Sequence, residues 1–257
     1  MENLWNNLKN KLKTHCKRNS FNKVVLGLSG GIDSAIVAVL AADSLGCENV
    51  TAIMMKTKYT SDLSIEIAQE IAKLNNIKYL EIDIDNIVND EIKILEDLFQ
   101  SKVKNIVIEN LQARIRGQIL MAYSNQNGNM VLACGNKSEK LTGYCTLYGD
   151  TCGGIMPIGN LYKTQVFELA KWRNTINQVL PNSVLTRAPS AELSFNQKDE
   201  NTLPPYPILD KILKMLNDDK MSISEIYNNG YNEKLVKQID KMIKRSKFKS
   251  TQMPKPL

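Results

Sequence analysis

A short apolar run, a glycine turn and an apolar helix follow one another near the start of the chain and constrain its fold most. Lys23–Leu28 is rich in Val and Leu and predicts a buried strand. Ser29–Asp33 contains two consecutive glycines. Ser34–Gly46 carries Ala, Ile, Val and Leu on most faces, which predicts a covered helix ending at a glycine cap. A strand and helix this apolar are typical of a parallel sheet between two helical layers.

The alternation of strand and helix continues over the next hundred residues. Further strands are predicted at Val50–Met55, Tyr79–Ile84 and Met130–Cys134. Helices are predicted at Ser61–Leu74 and over a long stretch from Asp85 to Asn125 that breaks near Ser101. We therefore expect an α/β fold, a doubly wound parallel sheet with helices on both faces. Right-handed crossovers place the carboxyl ends of all strands at one edge, where ligands bind.

The pattern changes beyond Gly135. Residues 135–160 are rich in glycine and predict a long ordered loop, and residues 190–207 are polar and proline-rich and predict a flexible segment. Helices are predicted at Tyr162–Asn174, Ile208–Asn217, Ser222–Tyr227 and Glu233–Lys244. We expect a single domain with an α/β nucleotide-binding core (1–190) and a C-terminal helical appendage (191–257).

Composition excludes several classes of protein. The hydrophobic fraction of 43% over 257 residues is sufficient for a globular core. No window approaches about 18 uninterrupted apolar residues, and no signal sequence is visible, so we expect a soluble cytoplasmic protein and no membrane partner. The five cysteines form no C-x-x-C pair, which argues against disulfides and structural zinc. The net charge of +6 suits an anionic substrate.

The glycine turn itself predicts a phosphate site. Gly30 and Gly31 leave backbone N–H groups bare, and the following helix adds the partial positive charge of its N-terminus. Asp33 is able to hold Mg²⁺, which prefers carboxylate and phosphate oxygens. Neither the lysine of a Walker loop nor the spacing of a dinucleotide fingerprint is present. The alternative is a chance glycine turn at a helix start.

The string S-G-G-I-D-S resembles the PP-loop ATP pyrophosphatases. The resemblance implies that ATP binds here, that pyrophosphate leaves and that AMP stays on an activated substrate. The loop alone does not separate members of that superfamily, which include several amidating and tRNA-modifying enzymes.

Four later motifs, G-N-K-S-E, G-Y-C-T-L-Y-G-D, P-I-G-N-L-Y-K-T and A-P-S-A-E-L, are together similar to ammonia-dependent NAD synthetases. The resemblance spans Val24 to Lys249. It implies amidation of deamido-NAD with ammonia, using ATP and Mg²⁺. Asp33 and Lys163 would be catalytic, and Asp33 and Glu139 would hold the metal. The implied ATP contacts are Gly27, Leu28, Ser29, Gly30, Gly31, Ile32, Asp33, Ser34, Cys134, Lys163 and Ser190. The implied deamido-NAD positions are Arg114, Leu147, Gly154, Phe248 and Lys249.

Several of those positions depart from the family pattern. Cys134 replaces a threonine, Leu147 a lysine, Gly154 an aspartate and Phe248 a histidine. The changes affect the dinucleotide contacts more than the phosphate and metal set. The resemblance also implies a homodimer with the dinucleotide across the subunit interface. The length leaves no room for a glutaminase domain, so free ammonia, or ammonia from a separate protein, is the expected nitrogen source.

Three other interpretations remain open. The chain could be another PP-loop enzyme, chiefly a tRNA-modifying one, although its cysteines lack the C-x-x-C spacing. It could bind adenine nucleotides without turnover, although such a protein does not need two metal-binding carboxylates. The basic C-terminal end could bind nucleic acid, but no aromatic stacking pattern accompanies it, and no nucleic-acid partner is expected.

Overall fold

The computed structural model describes residues 1–195, 197 and 199–257. It contains four strands: β1 (Lys23–Gly27), β2 (Val50–Lys56), β3 (Lys78–Asp83) and β4 (Asn129–Val131). The α-helices are α1 (Glu2–Arg18), α2 (Ile32–Leu45), α3 (Asp62–Leu74), α4 (Asp85–Phe99), α5 (Asn105–Asn127), α6 (Lys137–Thr142), α7 (Lys163–Ile176), α8 (Asn182–Thr186), α9 (Tyr206–Asn217), α10 (Ile223–Asn228) and α11 (Glu233–Ser250).

The four strands form one parallel sheet in the order β3-β2-β1-β4. The chain builds outward from β1 to β3 and then returns to place β4 on the other side of β1. The strand order therefore reverses between β1 and β4. In open α/β sheets, ligands bind outside the carboxyl ends of the strands at such a reversal.

Alternate side chains of β1 enter different cores. Val24 and Leu26 pack with residues of α1, α2, α3 and α7. Val25 faces the other side and packs with Val88 of α4 and Ile115 of α5. Both faces of the sheet are therefore covered by helices, which confirms the predicted α/β fold class.

The C-terminal helices form a third apolar cluster. Side chains of α9, α10 and α11 pack together with Tyr162, which precedes α7. The tail then returns to the core, where the Met156 N–H donates to the carbonyl of Lys255 at 3.0 Å. The structure confirms the predicted C-terminal helices. The division of the chain at residue 190 stays a prediction.

Several elements differ from the prediction: α8 was not predicted, α11 extends beyond Lys244, and two differences lie close to the fourth strand. The predicted loop 135–160 contains helix α6, which starts at a capping box formed by Asn136 and Glu139. The fourth strand ends at Val131 instead of Cys134, because the next residues pair with a different segment: the Ala133 N–H donates to Ile155 at 3.0 Å. The predicted helix break is confirmed by Gln100, which ends α4 in a left-handed conformation.

In the part of the chain that the structure describes, no helix combines the length and the apolar character that crossing a membrane requires.

Candidate functional site

The turn between β1 and α2 is shaped by its backbone. Gly30 has φ +77°, and a Cβ atom there would collide with the backbone of Ser64 in α3. Only glycine fits this position. Among the described residues, no side chain caps the start of α2 at Gly31. The first N–H groups of α2 are therefore able to bind an anion.

Two serine hydroxyls hold the turn in place. Ser34 Oγ accepts a hydrogen bond from the Ser29 N–H at 3.1 Å and donates to the Gly31 carbonyl at 3.1 Å. Ser29 Oγ accepts from the Gly31 N–H at 3.3 Å. The turn is thus preorganised by its own side chains, which reduces the cost of ordering it around a ligand.

A lysine and two carboxylates meet beside the turn. Lys163, the first residue of α7, is 3% exposed. Its Nζ donates to Asp33 Oδ2 and to Glu139 Oε1, the latter at 3.5 Å. Three residues predicted from distant motifs therefore form one charged cluster.

Asn136 fixes both carboxylates, although the sequence analysis assigned it no individual role. Its Nδ2 donates to Asp33 Oδ1 at 3.0 Å. Its Oδ1 accepts from the Glu139 N–H at 3.0 Å, and its own N–H donates to Glu139 Oε2 at 3.2 Å. The Asn-x-x-Glu spacing is a capping-box signal that was present in the sequence. Asn136 is fully buried, so these contacts are protected from water.

Burial changes the proton affinities in this cluster. Burial, followed by the neighbouring Asp33 charge, raises the pKa of Glu139 to about 8, although Lys163 opposes the shift. Burial by itself lowers the pKa of Lys163, but Asp33 and Glu139 outweigh that effect and raise it above its usual range. The lysine therefore stays charged, and a further cation near Glu139 would favour its ionised form.

The chemistry of the two carboxylates fits Mg²⁺. Asp33 and Glu139 already converge on one cation, the Lys163 ammonium. Magnesium prefers oxygen ligands and keeps several waters or phosphate oxygens. Among the described residues, no group of three or more His, Cys, Asp or Glu side chains is arranged to hold a metal. A magnesium ion held here would therefore take its remaining ligands from phosphate and water.

The charged cluster opens into a cavity of about 670 Å³ at the carboxyl edge of the sheet. Every residue of the turn from Gly27 to Ser34 lines it. Opposite walls come from α5, from residues 143–152 and from residues 187–193. Asp150 also lines the cavity, where desolvation raises the pKa of its carboxyl to about 6.

The wall at residues 187–193 is attached to the start of α3. The Arg187 guanidinium donates to Ser64 Oγ at 2.6 Å and to Glu192. Glu192 also accepts from Ser61 Oγ at 2.8 Å and from Ser64 Oγ at 2.7 Å. Since Ser64 also touches Gly30, this network joins the wall to the phosphate turn.

The two remaining predicted ATP contacts also line the cavity. Cys134 lies beside the start of the turn, with Sγ 4.0 Å from the Gly27 carbonyl, and burial raises its pKa. Ser190 donates its hydroxyl to the Gln197 carbonyl at 2.6 Å. Asn196 and Lys198, which belong to the N-Q-K-D-E run shortly after the A-P-S-A-E-L motif, lie outside the described residues.

Of the five predicted dinucleotide positions, only Lys249 belongs to the described residues that line the cavity. Its Nζ donates to the carbonyls of Gly143 and Cys145 at 2.8 and 2.7 Å. Arg114 is exposed and donates from Nε to the Leu147 carbonyl at 3.3 Å.

Gly154 and Phe248 lie away from that cavity. A Cβ atom at Gly154 would be 3.1 Å from Cγ of Met130, and the Phe248 side chain is 60% exposed.

The structure also places in the cavity a residue that was not predicted from the sequence. Arg116 lines it from α5 and has no local signal, because its helix reaches the cavity only through tertiary packing. Asp199, in the N-Q-K-D-E run that follows the A-P-S-A-E-L motif, also lines the cavity and accepts from the Tyr206 hydroxyl at 2.7 Å.

Residues 4–253 match the protein family described as NAD synthase. A curated relative, the glutamine-dependent NAD(+) synthetase of Xanthomonas campestris pv. campestris (strain 8004), is 45% identical over 250 residues. The match covers 96% of this chain and 45% of the relative. The chain thus spans less than half the length of the curated relatives it matches.

Two solved structures are similar over almost their whole length. The NMN synthetase of Francisella tularensis has a TM-score of 0.82 and 30% identity, and the match covers 97% of this chain and 95% of that one. The NH3-dependent NAD synthetase of Campylobacter jejuni has a TM-score of 0.79 and 29% identity, with coverage of 100% and 98%. The sequence match and the shared fold together place this chain in the NAD synthase family.

Proposed function

We propose that this chain catalyses the ATP-dependent amidation of deamido-NAD with ammonia, yielding NAD, AMP and pyrophosphate. The observation that carries the proposal is the meeting of the phosphate turn with the cluster of Asp33, Glu139 and Lys163 in one cavity. This arrangement can bind a triphosphate and neutralise its charge.

The chain's own residues would bind the triphosphate in three ways. Backbone N–H groups of the turn and of the α2 N-terminus donate to phosphate oxygens. The Lys163 ammonium offsets the negative charge that develops on the departing pyrophosphate. Mg²⁺, when bound by Asp33 and Glu139, would supply further neutralisation of the phosphates.

The reaction then needs two displacements in the same cavity. The nicotinate carboxylate attacks the α-phosphorus, the bond to pyrophosphate breaks, and an acyl-adenylate forms. Ammonia next attacks the carbonyl carbon, loses a proton, and AMP leaves. The walls at residues 143–152 and 187–193 hold the reactants together, and such positioning can contribute about 7–11 kcal/mol.

Ammonia is the proposed nitrogen donor. The support is the similarity over 98% of the NH3-dependent enzyme of C. jejuni. The curated relatives are glutamine-dependent and more than twice as long as the matched region. We expect ammonium chloride to support turnover of this chain and glutamine alone to give none. Equal rates with glutamine would contradict ammonia dependence.

A mononucleotide acceptor is the second candidate. One structural neighbour is an NMN synthetase, and four of the five predicted dinucleotide positions lie outside the described lining of the cavity. Comparing deamido-NAD with nicotinate mononucleotide at equal concentrations separates the two. A higher kcat/KM for the mononucleotide would replace the dinucleotide in the proposal.

A homodimer is also proposed, with the dinucleotide at its interface. Four large apolar side chains on α4 and at the start of α5 are at least half exposed: Ile94, Leu98, Phe99 and Ile106. Apolar patches of this kind commonly mark association surfaces. Sedimentation that gives a monomer at micromolar concentration would contradict the dimer.

One assay tests the whole proposal. Protein, ATP, Mg²⁺, ammonium and deamido-NAD should give NAD, AMP and pyrophosphate in equal amounts. Formation of ADP would exclude this chemistry, whereas AMP formation that does not need deamido-NAD would favour another PP-loop enzyme. Binding of ATP without any product would favour a non-catalytic nucleotide-binding protein.

A further inference from the structure

Among the described residues, four basic side chains line the cavity, and they differ in their partners. Lys163 and Arg187 each form ion pairs with carboxylates. Lys249 donates to two backbone carbonyls. Arg116 also lines the cavity, yet no described carboxylate lies within 4.0 Å of its guanidinium.

Arg116 is held in place by one contact. Its Nε donates to the Met55 carbonyl at 3.0 Å, and no other hydrogen bond joins its guanidinium to a described residue. Burial lowers the pKa of Arg116 to about 10, and the more distant charges of Glu192 and Asp85 only partly oppose this. The side chain therefore remains charged at neutral pH.

An enclosed cation without an opposite charge is costly in a folded protein. A guanidinium also presents a planar fork of donors that matches the oxygens of phosphate. With Nε occupied by Met55, the two terminal nitrogens have no acceptor among the described residues. The chemistry that satisfies them best is an anion bound in the cavity.

The position of Arg116 indicates which part of the cavity that anion would occupy. Met55 lies near the carboxyl end of β2. Strand β2 pairs with β1, and the phosphate turn follows β1 directly. Met55 Cε and Leu120 Cδ1 lie 3.2 and 3.7 Å from the position that a Cβ atom at Gly27 would occupy. Arg116 is therefore next to the start of the turn, on the side of α5.

We propose that Arg116 binds a phosphate oxyanion of a bound nucleotide, as a cation that complements the turn and Lys163. The inference rests on the proposed function in that it takes ATP or the dinucleotide as the ligand. The same chemistry is present in the phosphates of ATP and in the pyrophosphate of deamido-NAD, so binding must be measured for each.

The test compares R116Q and R116K with the unchanged protein by calorimetric titration without ammonium, so that no turnover is needed. The ligands are ATP with Mg²⁺, deamido-NAD, and adenosine as a ligand without phosphate. We expect R116Q to weaken the binding of one phosphate-bearing ligand about 10- to 100-fold, with R116K intermediate and adenosine unchanged. Loss for ATP identifies its phosphates as the anion, and loss for deamido-NAD identifies the dinucleotide. The matched control is R18Q, because Arg18 is exposed on α1 and is not among the described residues that line the cavity.

Unchanged affinity for both ligands, or an equal loss for adenosine, would overturn the assignment. A purely structural arginine would lower the unfolding temperature of the ligand-free protein and leave the shift caused by ATP or deamido-NAD intact. We expect the reverse for R116Q, with a small change without ligand and a reduced upward shift with it. Because binding is measured directly, a failure to form NAD would count against the proposed reaction and not against this residue.

Discussion

The cavity has two parts that are built differently. The phosphate side surrounds the turn between β1 and α2, and the dinucleotide side is the part expected from the five predicted dinucleotide positions. On the phosphate side, the turn, Asp33, Glu139 and Lys163 sit at the ends of strands and helices and share buried contacts. On the dinucleotide side, the predicted positions lie on α5, on loops and on α11, and most are outside the cavity of a single chain. Residues at the edge of the sheet have positions that the fold fixes. The dinucleotide side, in contrast, would be completed by a bound substrate or by the second subunit of the proposed dimer.

The largest expected effect tests the phosphate side. Asp33→Asn removes the charge from a residue that contacts Lys163 and Asn136. We expect turnover to fall at least about 10³-fold, because charge stabilisation is commonly the largest contribution to catalysis. AMP and pyrophosphate release measure it, and thermal unfolding should show an intact fold. Asp90→Asn, on an exposed face of α4, is the control. Unchanged turnover would refute the metal assignment.

A steric change should break the same side without altering its charge. Gly30→Ala places a Cβ atom against the backbone of Ser64 at φ +77°. We expect a loss of about 2 kcal/mol or more in the free energy of unfolding, and a loss of ATP binding. Gly128→Ala is the matched control, since φ is +67° but nothing lies within 4 Å. Urea unfolding should therefore show a loss of only about 1 kcal/mol in that control. Equal losses in both variants would mean that the contact with Ser64 is unimportant.

A smaller effect is expected at Asn136, which orients groups that would touch the ligands. Asn136→Ala should cost about 1 kcal/mol through the lost helix cap. Turnover should fall about tenfold because Asp33 and Glu139 lose their orientation. Ser222→Ala removes a similar capping box at α10, so it should cost similar stability without loss of turnover. If both variants lose turnover equally, stability alone explains the result.

The smallest effect belongs to the dinucleotide side. Phe248→His restores the His-Lys pair of the family pattern next to Lys249. Because Phe248 lies outside the cavity of a single chain, the new imidazole would reach deamido-NAD only across the interface of the proposed dimer. In that dimer we expect KM for deamido-NAD to fall about two- to tenfold, the value of one added hydrogen bond, while KM for ATP stays unchanged. Tyr227→His, at another exposed aromatic position, should change neither constant. A parallel fall in both KM values would show that the two sides are not independent.

Local patterns were sufficient for the sheet and the phosphate turn. The β1 run and the apolar α2 predicted a parallel sheet, though not its strand order, because strands and helices of this kind have few alternative packings. Helix α6 was absent from the prediction because glycine-rich surroundings masked the capping box of Asn136 and Glu139. Strand β4 ends early because Leu132 pairs with Ile155, and no local sequence pattern predicts that pairing.

Side-chain partners over long separations were the part that the sequence could not provide. Nothing in α5 distinguishes Arg114, which is exposed, from Arg116, which enters the cavity. The helix packs on the sheet with one face and under the cavity wall with another, so its apolar residues do not mark a single buried stripe. The ion pair of Lys163 with Asp33 likewise joins residues that only tertiary packing brings together.

The separation of those partners has a consequence for synthesis of the chain. Asn136 and Lys163 follow Asp33 by 103 and 130 residues. A nascent polypeptide therefore has no complete nucleotide-binding centre until α7 has left the ribosome. ATP would then stabilise only the finished fold and draw late folding intermediates towards it, by an amount that grows with the logarithm of cellular ATP concentration.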